Sequence, residues 1–300
     1  MLAKKSPRSG DRRWLWLFGW ALAIAVSGGC SKPVTKQLAD AQATVERLRA
    51  TFTKASDASN RAVMADTDAV SQTYADESVV AARGVDREVA ALRPVLDSLG
   101  YAEEMRTLDE FVAAFDKYRT FDREVLALAV ENTNLKAQRL SFGVVREEAD
   151  AVVDALGKAA QSVPVEQSAR LATAAATATI AVRQIQVLEA PHIAESNEDS
   201  MTALEAQMAA NEQAARAALA SLSSPTPAPA TAAALDHAAK ALDRFIAQNA
   251  EVVRLSRKNT NVRSLALVLG PKPKLIAACE GALERMAAAL AKRTSGGGTR

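Results

Sequence analysis

The chain has 300 residues, of which 49% are hydrophobic, only 4% aromatic and 24% charged, with a formal net charge of +2. Lys4, Lys5, Arg8, Arg12 and Arg13 against Asp11 supply more than that excess, so residues 30–300 are net negative and leave no footprint for a nucleic-acid partner. With two histidines, two cysteines, no phosphate-cradling glycine loop and no nucleophile-elbow spacing, the sequence gives no catalytic signature. Neither an enzyme nor a cofactor is expected.

The N-terminus reads as a targeting segment. Its basic residues precede an apolar run, Trp14 to Val26, that is short for a membrane span, and Ser27-Gly28-Gly29-Cys30 follows directly. Residues 1–29 resemble a bacterial lipoprotein signal peptide. The resemblance implies cleavage before Cys30, lipid on that cysteine, and a chain tethered to a membrane of the cell envelope and facing the periplasm. Ser27 stands where such signals usually carry Leu, which keeps an uncleaved signal anchor as the alternative. Ser31 is not the Asp associated with inner-membrane retention, so sorting to the outer membrane stays open. Arg12-Arg13 gives a weaker likeness to a twin-arginine export signal. No second apolar span is evident further along. The chain is therefore expected to lack a transmembrane route of its own to the cytoplasm.

Beyond Cys30 the sequence is rich in Ala, Leu, Glu, Arg and Gln, and no strand pattern appears. Breakers at Leu99-Gly100, Ser162-Val163-Pro164 and Ser223 to Pro229 divide it into four stretches of about 60 residues, each about 90 Å long if straight. The first keeps three-four apolar spacing through Leu38, Val45, Leu48, Phe52, Ala62, Ala69, Val80, Val85 and Leu92. The second continues through Phe111, Phe115, Val125, Leu135 and Val152, the third through Leu171, Ile185 and Met208, and the fourth through Leu242, Phe245, Val252 and Leu283. Gly270-Pro271 and Pro273 should kink or interrupt the fourth. Cys279 falls on the apolar stripe and reads as a buried thiol acting as a small hydrophobe.

One polar motif occurs twice. Asn132-Thr133-Asn134-Leu135 is echoed by Asn259-Thr260-Asn261-Val262, and Tyr118, Val125, Leu128, Leu140 and Gly143 are echoed at the same offset by Phe245, Val252, Leu255, Leu267 and Gly270. The echo predicts an internal duplication: a first helical repeat over 30–164, a second over 165–294, and a flexible tail over 295–300. The fold expected is all-α, an elongated antiparallel bundle built from two repeated long-helix hairpins. The alternative is two tandem four-helix modules, with Ser56 to Asn60 and the Asn-Thr-Asn triplets as turns.

In the hairpin layout Asn132 and Asn259 lie on the apolar seam, where an amide must be hydrogen-bonded to be tolerated. With the breakers as turns, Asp66, His192 and Glu195 share their level. Such a layer is either a device that fixes helix register or a ligand site between helices. One His with Glu195 and Asp66 is too sparse to predict a metal.

Phe111, Phe115, Tyr118, Val125 and Leu128, followed by Glu131 to Gly143, resemble the later helices of the four-helix-bundle sensory domain of methyl-accepting chemotaxis receptors. Leu242 to Gly270 resembles them again. The likeness implies an extracytoplasmic domain that binds a small molecule between helices. The chain lacks the second span and cytoplasmic signalling helix of that family, so any signal would pass through a partner receptor or a homo-oligomer. The other function expected is a structural spacer or assembly protein of the periplasm.

Overall fold

A computed structural model describes residues 33–163, 165–222 and 228–296. The signal segment with Cys30, Pro164, the 223–227 stretch and the last four residues lie outside the described residues. Val34–Arg300 is one compact unit.

The described residues form an all-α bundle without a strand. Helix α1 (Val34–Val63) turns through Met64 to Thr67 into α2 (Asp68–Leu99), and the two pack along their lengths. Thr67 has extended backbone and its hydroxyl accepts from the Val70 N–H at 3.3 Å, which starts α2 with Asp68 in its first turn. Gly100, in the left-handed region at φ 67°, closes α2 and admits the turn into α3 (Ala102–Glu131).

The chain then passes through Asn132 into α4 (Thr133–Leu140), a π-helical turn over Ser141–Val145, and α5 (Arg146–Gln161). A second hairpin follows, α6 (Val165–Ala194) and α7 (Glu198–Ser221), started anew by Asn197, whose side chain caps Ser200 N–H at 2.9 Å. Helix α8 (Pro229–Lys258) leads through Asn259 into α9 (Thr260–Leu269) and α10 (Lys272–Gly296).

These elements make two four-helix halves. One packs α1, α2 and α3 with α10; the other packs α6, α7 and α8 with α5. Each half therefore takes a hairpin and one long segment from its own part of the sequence and one helix from the other part. The first core contains Leu48, Phe52, Leu92, Leu108, Phe111, Phe115, Tyr118, Leu283 and Met286. The second is rich in alanine and contains Val152, Leu156, Val182, Ile185, Leu242, Phe245 and Val252.

The expected hairpins of four unbroken helices are not what forms. The first and third stretches fold back on themselves at Met64 to Thr67 and Glu195 to Asn197, while the second and fourth run through both halves. The caps at Thr67 and Asn197 favour this: each satisfies one of the free N–H groups of a new helix, which lowers the cost of reversal. Two assumed seam positions past the first reversal, Ala69 and Val80, are exposed. The alternative turns do not form either, since Ser56 to Asn60 lies inside α1 and the Asn-Thr-Asn triplets interrupt helices without reversing them.

The interruption expected near Pro271 occurs at Gly270, where φ is −96° and ψ −89°. A Cβ there would sit 2.9 Å from the Ala266 carbonyl oxygen, so glycine is required. Ser295 and Gly296, assigned from sequence to the tail, continue α10.

The expectation of no second apolar span also needs correction. Ser168–Ala194 is long and apolar enough to cross a membrane by length and composition. Its inward stripe, however, carries Ala178, Val182, Ile185, Glu189 and His192, all buried among the other helices. Cys279 is free and buried, and burial, assisted by the charge of Glu280, pushes its thiol up to about 12.

Candidate functional site

Asn132 (φ 50°, ψ 40°) and Asn259 (φ 55°, ψ 35°) are the described non-glycine residues in the left-handed region. Asparagine adopts that conformation more cheaply than most L-residues. At each position it ends one helix and leaves the first N–H groups of the next without intrahelical acceptors.

Those donors are satisfied reciprocally across the bundle. Thr133 N–H donates to Thr260 Oγ1 at 3.0 Å, and Thr260 N–H to Thr133 Oγ1 at 3.2 Å, between residues 127 apart. Asn134 N–H donates to Asn261 Oδ1 and Asn261 N–H to Asn134 Oδ1, both at 3.1 Å. The amides close the layer: Asn134 Nδ2 to Asn259 Oδ1 at 2.7 Å, and Asn261 Nδ2 to Asn132 Oδ1 at 2.8 Å. Helices α4 and α9 thus cap one another's N-termini.

The layer is tied to one hairpin more firmly than to the other. Asn134 Nδ2 also reaches the Ile193 carbonyl and Asn259 Nδ2 the Glu195 carbonyl, each at 2.7 Å. Asn132 Nδ2, although buried, has no hydrogen-bond partner.

The five residues expected to converge do so in part. Asn132 and Asn259 meet in the layer as helix breaks rather than as seam positions. Glu195 contributes its backbone carbonyl, while its carboxylate accepts from the N–H groups of Ser196 and Asn197 at 2.8 Å each. His192 is fully buried beside the layer, with Nδ1 2.8 Å from Ser256 Oγ and Nε2 2.8 Å from Glu205 Oε1. Arg257 donates to the same Glu205 oxygen at 2.6 Å and holds that carboxyl below the usual range. Both ring nitrogens of His192 are engaged within the protein, which leaves it no free lone pair for a ligand. Asp66 stays out of the layer, exposed in the turn between α1 and α2. Among the described residues no group of three His, Cys, Asp or Glu side chains is placed to hold a metal ion.

Two further polar clusters were not anticipated. In the first half Lys272, fully buried at the start of α10, lies 2.8 Å from Asp122 Oδ1 and donates to Ser59 Oγ at 2.5 Å. Ser59 donates to Asp122 Oδ1 at 2.6 Å and Ser78 to Oδ2 at 3.4 Å. Burial pulls the Lys272 ammonium below the ordinary lysine range, against the opposing pull of Asp122. Tyr118 lies 1% exposed against this cluster, and its hydroxyl, next to the Ser56 and Asp122 side chains, meets neither in ordinary hydrogen-bond geometry. Burial first, and then the Asp122 carboxylate, push that hydroxyl far above its usual range.

In the second half Ser141, at the π-helical turn, donates to buried Glu189, whose Oε1 has no partner. Burial raises Glu189 to about 7, with the Ser141 hydrogen bond opposing the shift.

A cavity of about 490 Å³ opens between α2 and α3 beside the first cluster, in the size range of small-molecule sites. Tyr118, Asp122 and Ser78 line it together with Ala75, Val79, Leu126 and Val130. Asp122 was the readable signal. It is a charge on the inward stripe between Tyr118 and Val125, and Asn249 is its polar echo.

Compared with protein-family models, curated proteins and solved structures, the chain gives no match.

Proposed function

We propose that this chain is an extracytoplasmic binding module, tethered by lipid on Cys30 and facing the periplasm, that takes a small ligand between α2 and α3 and acts through a partner. The observation that carries the reading is the cavity of about 490 Å³ above the Tyr118 and Asp122 cluster. Ser78, Tyr118 and Asp122 place polar groups beside the apolar lining of this cavity, the mixture of surfaces that a small ligand uses. The N-terminal pattern supports the tether, and the resemblance to chemoreceptor sensory domains supports a sensing role. The echoed Asn-Thr-Asn motifs, with their reciprocal bonds, support descent from a duplicated unit that exchanged its last helix.

The layer itself is better read as a lock than as a pocket. Apart from Asn132 Nδ2, its side-chain donors are spent on one another and on the Ile193 and Glu195 carbonyls, and we place the ligand site in the first half instead.

A small-molecule library screened by thermal shift on the full chain in lipid nanodiscs tests the reading. A ligand that binds only the native state must raise the unfolding temperature. Stabilisation that disappears when Ala82→Trp fills the cavity supports it, whereas stabilisation insensitive to Ala82→Trp refutes the site. The second reading, a periplasmic spacer, is favoured by the interlocked layer. It predicts no stabilising ligand, and normal envelope function in the Ala82→Trp chain.

A further inference from the structure

The charges around the cavity divide into spent and unspent. The Asp86–Arg119 ion pair, at 3.1 Å, joins α2 to α3 and marks the level they share. Arg119 also holds Asp116 at 2.7 Å, and Asp122 is committed to Lys272 at 2.8 Å. One turn from the Asp86–Arg119 pair, on the same side, stand Arg83 on α2 and Arg123 on α3. In antiparallel helices three residues before Asp86 and four after Arg119 reach the same level, so the two arginines flank one end of the groove. Both line the cavity, both are exposed, and neither forms an ion pair or hydrogen bond with another described residue.

The opposite end has the opposite character. Asp76, two turns of α2 away, accepts only a neutral amide hydrogen from Gln72, at 2.9 Å. Between the ends the surface is mostly apolar, through Ala75, Val79, Ala82, Leu126, Ala127 and Val130, interrupted by the Ser78, Tyr118 and Asp122 side chains. Val79 remains 42% exposed.

We propose that the cavity binds an amphipathic carboxylate, its anionic head between Arg83 and Arg123 and its apolar body along the groove toward Val130. Guanidinium groups pair with carboxylates through parallel N–H donors, and two unpaired guanidiniums at one end give the head both affinity and direction. A cation is repelled from that end, and a neutral molecule forfeits the pairing. The assignment rests on the binding reading above and narrows it to one chemical class.

Three fluorescent probes that differ only in the head separate the two claims: naphthalene-2-carboxylate, naphthalene-2-methanol and naphthalene-2-methylamine. Each is titrated into the full chain in lipid nanodiscs, with empty nanodiscs as reference. The carboxylate is expected to bind at least 10-fold more tightly than the alcohol, and the amine most weakly. Arg83→Glu with Arg123→Glu, two exposed positions, should weaken the carboxylate by 10-fold or more and leave the alcohol within about 3-fold. Carboxylate binding unchanged by the charge reversal, or no tighter than the alcohol, overturns the class while leaving the cavity standing. If none of the three binds, or if Ala82→Trp alters none, the cavity reading itself fails.

Discussion

Each half packs a helical hairpin against one long helix of its own part of the sequence and one helix of the other part, and the two differ in what fills them. At Tyr118, Asp122 and Lys272 the first half places a hydroxyl, a carboxylate and an ammonium, all buried. The echoed positions of the second half hold Phe245, Asn249 and Val145, in a core rich in alanine. Phe52 in the first half meets Phe111, Phe115 and Tyr118 edge-on at 6.2, 6.1 and 5.2 Å between ring centroids. The lesson is that helix arrangement needs only the caps, the layer and an apolar stripe. A charged interior beside a cavity is additional, and it is where function is to be sought.

The largest expected effect separates the charged half from its neutral echo. Asp122→Asn leaves Lys272 buried without its counter-charge, which should cost on the order of 3–5 kcal/mol in denaturant unfolding. Adding Lys272→Met should recover most of that loss, because a packed apolar chain replaces the stranded ammonium. A double variant as unstable as Asp122→Asn alone would show that the pair is not coupled. The pair also favours one assembly: α10 carries the lysine that faces Asp122, whereas the π-helical turn before α5 carries Val145 at the echoed position, so an exchange of the two segments would strand a charge.

Next comes a pH effect confined to the second half. The Glu189 carboxyl is raised from 4.5 to about 7. The fold therefore favours its protonated form. Its contribution is fully present below about pH 4.5 and is lost as pH rises through about 7, a change on the order of 3 kcal/mol. Glu189→Gln should flatten this part of the stability profile between pH 4.5 and 8, measured by urea unfolding.

The layer should respond more modestly. Asn259→Gly keeps the left-handed backbone but removes the amide bonds to Asn134 and Glu195. A loss of about 1–2 kcal/mol is expected, with Asn259→Leu worse by about 1 kcal/mol because Leu also pays the left-handed strain. Equal losses for Gly and Leu would mean that the backbone conformation there is not under strain. The smallest effect is expected at Tyr118→Phe, which copies the echo Phe245. Removing a hydroxyl that meets Ser56 and Asp122 only outside ordinary hydrogen-bond geometry should change stability by less than about 1 kcal/mol.

Much of the fold was legible because its signals are local. Composition and three-four spacing give the helices, Gly100 marks the end of α2 and Pro229 the start of α8, and the echo picks out Asn132 and Asn259. The hairpin reversals were legible in principle from Thr67-Asp68 and Asn197-Glu198. They were masked because the apolar period resumes after a short connection nearly in phase, so Ala69 and Val80 look like seam residues. Which helix joins which half could not be read, since an apolar stripe does not say which neighbour covers it. Asp122 and Lys272 lie 150 residues apart in sequence. Nothing local links a charge on one stripe to a lysine between two prolines. Asp66 was placed in the layer by assuming a straight helix, and the turn at Met64 to Thr67 carries it outward.

Amide hydrogen exchange of the full chain in lipid nanodiscs, with and without naphthalene-2-carboxylate, tests most directly the claim that binding belongs to the first half. Slower exchange confined to α2 and α3, over residues 72–86 and 118–130, with α7 and α8 unchanged, is the predicted result. Protection centred on α6 to α8 or on the Asn-Thr-Asn layer, or no change anywhere at saturating probe, would contradict it.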